Sequence, residues 1–337
     1  MLRSEISRIK LKGTRLYMRL LLRVLRLLFR IFPWSRRRIS IGYLTQNPKH
    51  MDGLGAQLQR VIAVRGLAVY WGLLSWQPNI PKIAVHPLDG FETEEAISEY
   101  VEKVNNLIDG KIMSPDQRVV YVEEIGFFPI LLTLLRANIR DSHVFLMVSL
   151  PFRFVDSLPN IYSLGAYNYR ERLKQHVTLK QAPKIAIHHR WTTGYGVVQP
   201  GQRVSRSVSI NRFREILDEF ETLTLNELYI FTDAPLDPMI FNPMPEYLEA
   251  WNITAGYSPQ GIQIEGLSLN KIESVFPNSK VTRGGNPLET LANLSTSKTI
   301  ILSNSSFGYV AALLSESANV YLPKEFWHPP LSKWQSF

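Results

Sequence analysis

Short apolar runs that break off abruptly in polar or glycine-rich turns recur along this chain, and most are followed by a stretch with helical periodicity. Ile39 to Leu44 is such a run, as are Arg118 to Val122, His143 to Leu150, Lys184 to His188, Leu228 to Thr232, Thr299 to Leu302 and Asn319 to Leu322, and Lys280 to Arg283 is a further strand candidate by its place before Gly284-Gly285-Asn286. Runs of four to eight apolar residues bounded by turn signals read as buried strands. Between them, apolar positions spaced three and four apart predict helices. These are expected from the glycine turn at Asp52 to about Leu73, over Thr93 to Leu107 and Phe127 to Leu135, and over Asn211 to Leu223, Pro287 to Ser295 and Phe307 to Leu314. Strands alternating with helices give an α/β fold with parallel sheets and crossover helices. Pro151 to Tyr169 reads as irregular, and the polar stretch Thr178 to Lys184, with Pro183, as a linker.

The chain has 337 residues, enough for two domains with their own cores. No cysteine is present, which removes disulfides, cysteine–zinc sites and thiol nucleophiles from consideration. The net charge of +9 is concentrated at one end. Residues 1–38 hold twelve Lys or Arg against the single acid Glu5, and the remainder holds 26 basic and 28 acidic residues. A nearly neutral body argues against a nucleic-acid-binding surface.

The basic segment has a helical pattern. At about 100° per residue, Arg8, Lys12, Arg15, Arg19, Arg23, Arg26 and Arg30 fall within one stripe of roughly 80°. The rest of the surface from Leu16 to Phe32 is apolar, and Pro33 ends the helix, with Trp34 and Arg36 to Arg38 following. Such a helix suits the headgroup plane of an anionic membrane, giving a peripheral, membrane-associated protein, on the cytoplasmic face if bacterial. Arg19, Arg23, Arg26 and Arg30 oppose a transmembrane reading, at about 2.5–3.5 kcal/mol each at a bilayer centre. The absence of an unbroken apolar core and small-residue cleavage site opposes a signal peptide. Packing of the helix on the protein's own body or on a partner stays open.

Three turns carry candidate chemistry. Lys184 to Gly196, KIAIHHRWTTGYG, delivers His188, His189 and Arg190 at a strand's carboxyl end, where open α/β sheets bind ligands. A guanidinium can bond two phosphate oxygens at once, so this end suits a phosphorylated ligand, unless the polar residues simply lead the strand into solvent. Ser303, Asn304, Ser305 and Ser306 stand between a strand and a helix, which suits either an anion site or ordinary capping. Asp233 could accept bonds from a ribose or base, or start a turn with Pro235. At Asp52-Gly53-Leu54-Gly55-Ala56-Gln57 a glycine turn opens a helix, but Leu58 stands where the dinucleotide fingerprint needs its third glycine, and no P-loop lysine occurs. Glu123 and Glu124 end another strand, as a general base or a solvated pair.

Two Rossmann-like halves facing across a cleft describe a GT-B-like nucleotide-sugar transferase, with the basic amphipathic helix at 1–38, an acceptor-side domain at 39–178 and a nucleotide-sugar domain at 179–337. The stretch Gly53 to Gln59 resembles the GGLGNQ-type opening of the α-1,2-fucosyltransferase-like families. Ile187 to Arg190 resembles their H-x-R motif, Phe231-Thr232-Asp233 their F-S-D element, and Ile301 to Tyr309 their NSSFSWW-type motif. The resemblance implies metal-independent, inverting fucosyl transfer from GDP-fucose, with no further cofactor, to a glycan or lipid-linked saccharide. It implies that Arg190 and His188 are catalytic, Arg190 holding the β-phosphate. It places Gly53, Gly55, Gln57, Asp233, Asn304, Ser305, Ser306 and Phe307 at the donor, with Asp52, His189 and Glu289 as further polar contacts. The pattern departs where Trp191 replaces a second arginine and where the following acid is missing, which leaves the base among His189, Asp52 and Glu124. No D-x-D motif supports a metal–diphosphate arrangement. A catalytically inactive scaffold or binding protein at a membrane, or the same fold with another sugar nucleotide, are the competing readings.

Overall fold

The computed structural model describes residues 2–31, 37–44, 52–85, 89–114, 116–122, 130, 132–133, 143–190, 195–199, 202–205, 208–219, 227–234, 269–316, 318–324 and 326–337. The predicted helix at 127–135, apart from residues 130, 132 and 133, Glu123, Glu124 and Trp191 lie outside the described residues. The chain forms two compact units. The first takes residues 1–48, 56–83 and 98–171, and the second takes 49–55, 84–97 and 172–337.

In the first unit, strands β1 (Ile39–Tyr43), β2 (Leu74–Ser75), β3 (Val119–Val122) and β4 (Val144–Val148) form a parallel sheet in the order β2-β1-β4-β3. All five residues of β1 are buried, as expected of a strand covered on both faces. The helix Leu54–Trp71 is buried along most of its length, Gln57 and Gln59 included. A correction comes at 151–169. Instead of irregular chain, Phe152–Val155 forms a short helix and Asn160–Lys174 a longer one. Pro151, Pro159 and Gly165 resemble breakers, yet Ile161, Tyr162, Ala166, Tyr169 and Leu173 are buried at helical spacing. Pro159 sits just before the helix, where it is tolerated. Gly165 serves close packing, because a Cβ there would collide with the carbonyl oxygen of Ile62, and one on Gly66 with that of Ile161. Gly165→Ala is therefore expected to force the two backbones apart and lower stability by about 1–3 kcal/mol, read as a drop in the urea midpoint at constant m-value.

The amino-terminal helix, Leu2–Ile31, belongs to this first unit. It buries Leu21, Leu22, Leu25 and Phe29. The Trp71 indole donates to the Leu22 carbonyl at 3.3 Å, and Phe29 meets the same ring at 5.7 Å. Packing on the protein's own body thus accounts for one sector of the wide apolar face.

The second unit is built on a six-stranded parallel sheet. Its strands are β5 (Ile185–His189), β8 (Leu228–Thr232), β9 (Lys280–Arg283), β10 (Thr299–Leu302), β11 (Asn319–Leu322) and β12 (Gln335–Ser336). A separate antiparallel hairpin pairs β6 (Tyr195–Gln199) with β7 (Gln202–Ser205). The strand β12 was not expected, because two exposed polar residues leave no apolar pattern to read. The sheet order is β12-β11-β10-β5-β8-β9. From β5 the chain winds outward through β8 and β9, then returns to β10 on the other side and winds outward again. This is the doubly wound Rossmann order, and its direction reverses between β5 and β10. Both units therefore have Rossmann-like parallel α/β character.

Candidate functional site

In an open parallel sheet, helices on opposite faces leave a crevice outside the strand ends where the winding reverses. In the second unit that position lies beyond His188 and His189 on β5 and Ser303 on the chain leaving β10. The pairing of Leu302 with His188 puts these two strand ends side by side.

Successive side chains of a strand point to opposite faces, and the two histidines obey this. His188 stacks on Phe307 with ring centroids 5.5 Å apart. It also lies against Gly308, where a Cβ would come within 2.9 Å of its Nδ1. His189 turns to the other face, with Nδ1 at 2.9 Å from the Thr232 hydroxyl and its ring edge-on to Phe213. Both rings are buried. Burial lowers the pKa of His188 to about 3, aided by the nearby Arg190 and His189 charges, and burial alone lowers that of His189 to about 4. Both imidazoles are thus neutral near pH 7. The Nδ1 of His188 and Nε2 of His189 have no hydrogen-bond partner among the described residues.

Ser303 splices the two strand ends. Its hydroxyl donates to the His188 carbonyl at 2.9 Å and accepts from the Arg190 amide at 2.8 Å, while its own amide donates to the same His188 carbonyl. The side chain is fully buried. Ser303 therefore fixes the backbone from which Arg190 projects. Ser303→Ala leaves the Arg190 amide without this acceptor. The expected result is a loss of about 1–3 kcal/mol in stability, read as a lower urea midpoint at constant m-value.

Arg190 is half-buried, and its Nε stands 3.6 Å from the Asp233 carboxylate at the end of β8. That gap is an ion pair without a hydrogen bond, so the guanidinium is held but not saturated. Ser305 caps the helix Ser306–Leu314, its hydroxyl accepting from the Phe307 amide at 3.2 Å. Of the four small polar residues, Ser303 and Ser305 thus have structural bonds that the sequence reading had left open against a ligand role. Gly55, in the segment 49–55 of this unit, lies directly against Phe307, and a Cβ on it would strike the Phe307 backbone. Gly53 bridges to Ala84, and the Ala84 amide donates to the Asp52 carbonyl.

The structure thus gathers Gly55, His188, His189, Arg190, Asp233, Asn304, Ser305, Ser306 and Phe307 around the ends of β5, β8 and β10 and the start of one helix. Gln57 is placed elsewhere: it is buried in the first unit, where the Tyr43 hydroxyl donates to its Oε1 at 2.7 Å. Glu289 is exposed in the first turn of the helix Pro287–Ser295, whose cap is Asn286. Arg283 was missed by the sequence reading. It ends β9 beside Thr232 and donates from Nε to the Ala234 carbonyl at 2.6 Å, adding a second guanidinium at these strand ends. The signal was present, since Arg283 precedes a Gly-Gly turn as Arg190 precedes its own loop. Among the described residues, no group of three or more His, Asp or Glu could hold a metal ion.

No family model matches the chain, and no curated protein matches it. Solved structures do. Escherichia coli heptosyltransferase WaaC with ADP-2-deoxy-2-fluoro heptose is 10% identical, with 89% of this chain and 92% of that chain covered and a TM-score of 0.41. POFUT1 in complex with GDP is 11% identical, with 85% and 97% covered and a TM-score of 0.45. A UDP-N-acetylglucosamine 2-epimerase from Listeria monocytogenes, described as putative, is 10% identical, with 86% and 80% covered and a TM-score of 0.30.

Proposed function

We propose that the second unit binds a nucleotide sugar at the ends of β5 and β10, and that the protein is a glycosyltransferase of GT-B type. The donor of this reading is GDP-fucose, transferred with inversion and without a metal to a glycan or lipid-linked saccharide. The observation that carries it is the placement of Arg190. Its amide is pinned by Ser303 at the point where the sheet's winding reverses, and its Nε stands 3.6 Å from the Asp233 carboxylate at the end of the neighbouring strand.

In such a transfer the bond between the sugar's anomeric carbon and the β-phosphate oxygen breaks, and negative charge collects on the departing diphosphate. A guanidinium already oriented at that position stabilises this charge without reorganising. The amides at the start of the helix Ser306–Leu314 add partial positive charge to the same side. His188, neutral and stacked on Phe307, can offer a hydrogen bond but no charge. The acceptor hydroxyl attacks the opposite face of the anomeric carbon and gives its proton to a base. His189 is poorly suited to that role, because a conjugate acid with a pKa of about 4 releases its proton too readily near neutral pH. Asp233 faces Arg190, so Asp52 and Glu124 are the bases that this reading keeps.

Thermal melts with GDP, UDP, CMP and their sugar conjugates test the proposal. A nucleotide at one hundred times its Kd adds about 2.7 kcal/mol of stability. Stabilisation by GDP and GDP-fucose supports the donor assignment. Stabilisation by UDP alone keeps the site and changes the donor. A folded protein that no nucleotide stabilises overturns the reading in favour of an inactive scaffold.

A further inference from the structure

The amino-terminal helix divides into three sectors. With Arg15 at zero and about 100° per residue, the basic stripe covers roughly 0–80°. Leu21, Leu25, Phe29 and Leu22 fall at about 240–340° and are the residues buried against the first unit. Leu16, Leu27, Leu20, Ile31 and Val24 fall between, at about 100–180°. Leu16, Leu20, Leu27 and Ile31 are 57–69% exposed.

That middle stripe is left exposed by the helix's packing on the unit, and it adjoins the arginine stripe along its length. The clamp to the body uses other groups. Arg19 Nε donates to the Ser157 carbonyl at 2.7 Å and Arg26 lies 4.5 Å over the Tyr70 ring, whereas Arg23 and Arg30 are exposed. No helix among the described residues is long and apolar enough to cross a membrane.

We infer that the Leu16–Leu20–Val24–Leu27–Ile31 stripe inserts into the interface of an anionic lipid bilayer, with Arg23 and Arg30 among the lipid phosphates. The helix is bolted to the first unit through its third sector, so docking fixes that unit's orientation at the bilayer. Charge selects this occupant. Apolar side chains flanked by a row of guanidinium groups match acyl chains below a layer of phosphates. A second copy of the chain fits poorly, because isologous pairing through this stripe sets one arginine row near the other. The inference is independent of the transferase reading.

Co-sedimentation of the full chain with phosphatidylcholine vesicles, with and without phosphatidylglycerol, tests it. Binding is expected only to the anionic vesicles and is expected to weaken as salt rises. The double variant Leu20→Glu/Leu27→Glu should bind about tenfold or more weakly with an unchanged melting temperature, since both positions are exposed. Arg23→Glu/Arg30→Glu should lose the preference for anionic lipid. Equal vesicle binding by the leucine variant and the wild type overturns the inference. So does a wild type that ignores anionic vesicles, or one that self-associates through this stripe and is made monomeric by Leu20→Glu/Leu27→Glu.

Discussion

Arg190→Ala should lower donor turnover by about 10²- to 10³-fold, the loss that follows removal of one preorganised donor from a site of developing negative charge. The structure says why this residue and not its neighbours. His188 and His189 are neutral near pH 7, because burial holds their pKa values at about 3 and 4. Neither can supply the charge that a departing diphosphate needs. Arg190 carries a guanidinium, is anchored through its amide to Ser303, and faces Asp233 without a hydrogen bond to it. Substitution by lysine should recover only part of the turnover, since an ammonium lacks the planar fork that bonds two oxygens. A polar side chain that is 30% exposed just beyond the end of a strand adds little to the apolar core, so the alanine variant should melt close to the wild type. Turnover and GDP-induced stabilisation should fall together. If turnover is unchanged while the protein remains folded, Arg190 is not at the phosphate and the site lies elsewhere.

The parallel α/β character was legible because buried strands in such sheets have short continuous apolar runs. Ile185 to Ile187 and Thr299 to Leu302 showed it, and these became β5 and β10. Their order in the sheet was not legible, since strand order depends on which crossovers cover which face and not on any local pattern. The residues at their ends were nameable for the same reason that the strands were: polarity begins where burial stops. What each of those residues does required coordinates. Ser303 and Ser305 look alike in sequence, yet one ties Arg190 to β5 and the other caps a helix. Gly308 gained a reason only beside the His188 ring. The helix Asn160–Lys174 was hidden by Pro151 and Pro159 before it and by Gly165 within it, whose role is close approach to another backbone. On the amino-terminal helix, composition revealed the arginine stripe, but only packing separated the apolar residues that hold the body from those left exposed.

The two buried histidines also make the fold's stability depend on pH, with a sign that can be derived. Their pKa values in the folded protein, about 3 and 4, lie below the ordinary 6.5. Above pH 6.5 neither the folded nor the unfolded chain binds these protons, and stability is at its plateau. As pH falls from 6.5 towards 4, each histidine takes up a proton in the unfolded chain but not in the folded one. Stability then falls by about 1.4 kcal/mol per pH unit for each histidine. At pH 5 the two together should have removed about 4 kcal/mol, a large part of a typical domain's stability. His143, near the surface and bonded to Ser40, is lowered in the same direction and adds to the trend. Urea unfolding at pH 7.5 and at pH 5 measures the difference, in a range where carboxylates still contribute little. Single His188→Gln and His189→Gln variants should each flatten the slope by about 1.4 kcal/mol per pH unit, whatever they do to the plateau. A wild-type slope near zero would mean that the rings reach water and that the ends of β5 and β10 are open to solvent. The stacked His188–Phe307 pair could not then define one wall of a water-poor phosphate site. A steep slope would show that these strand ends stay closed around neutral rings, which leaves Arg190 and Arg283 to meet an incoming anion.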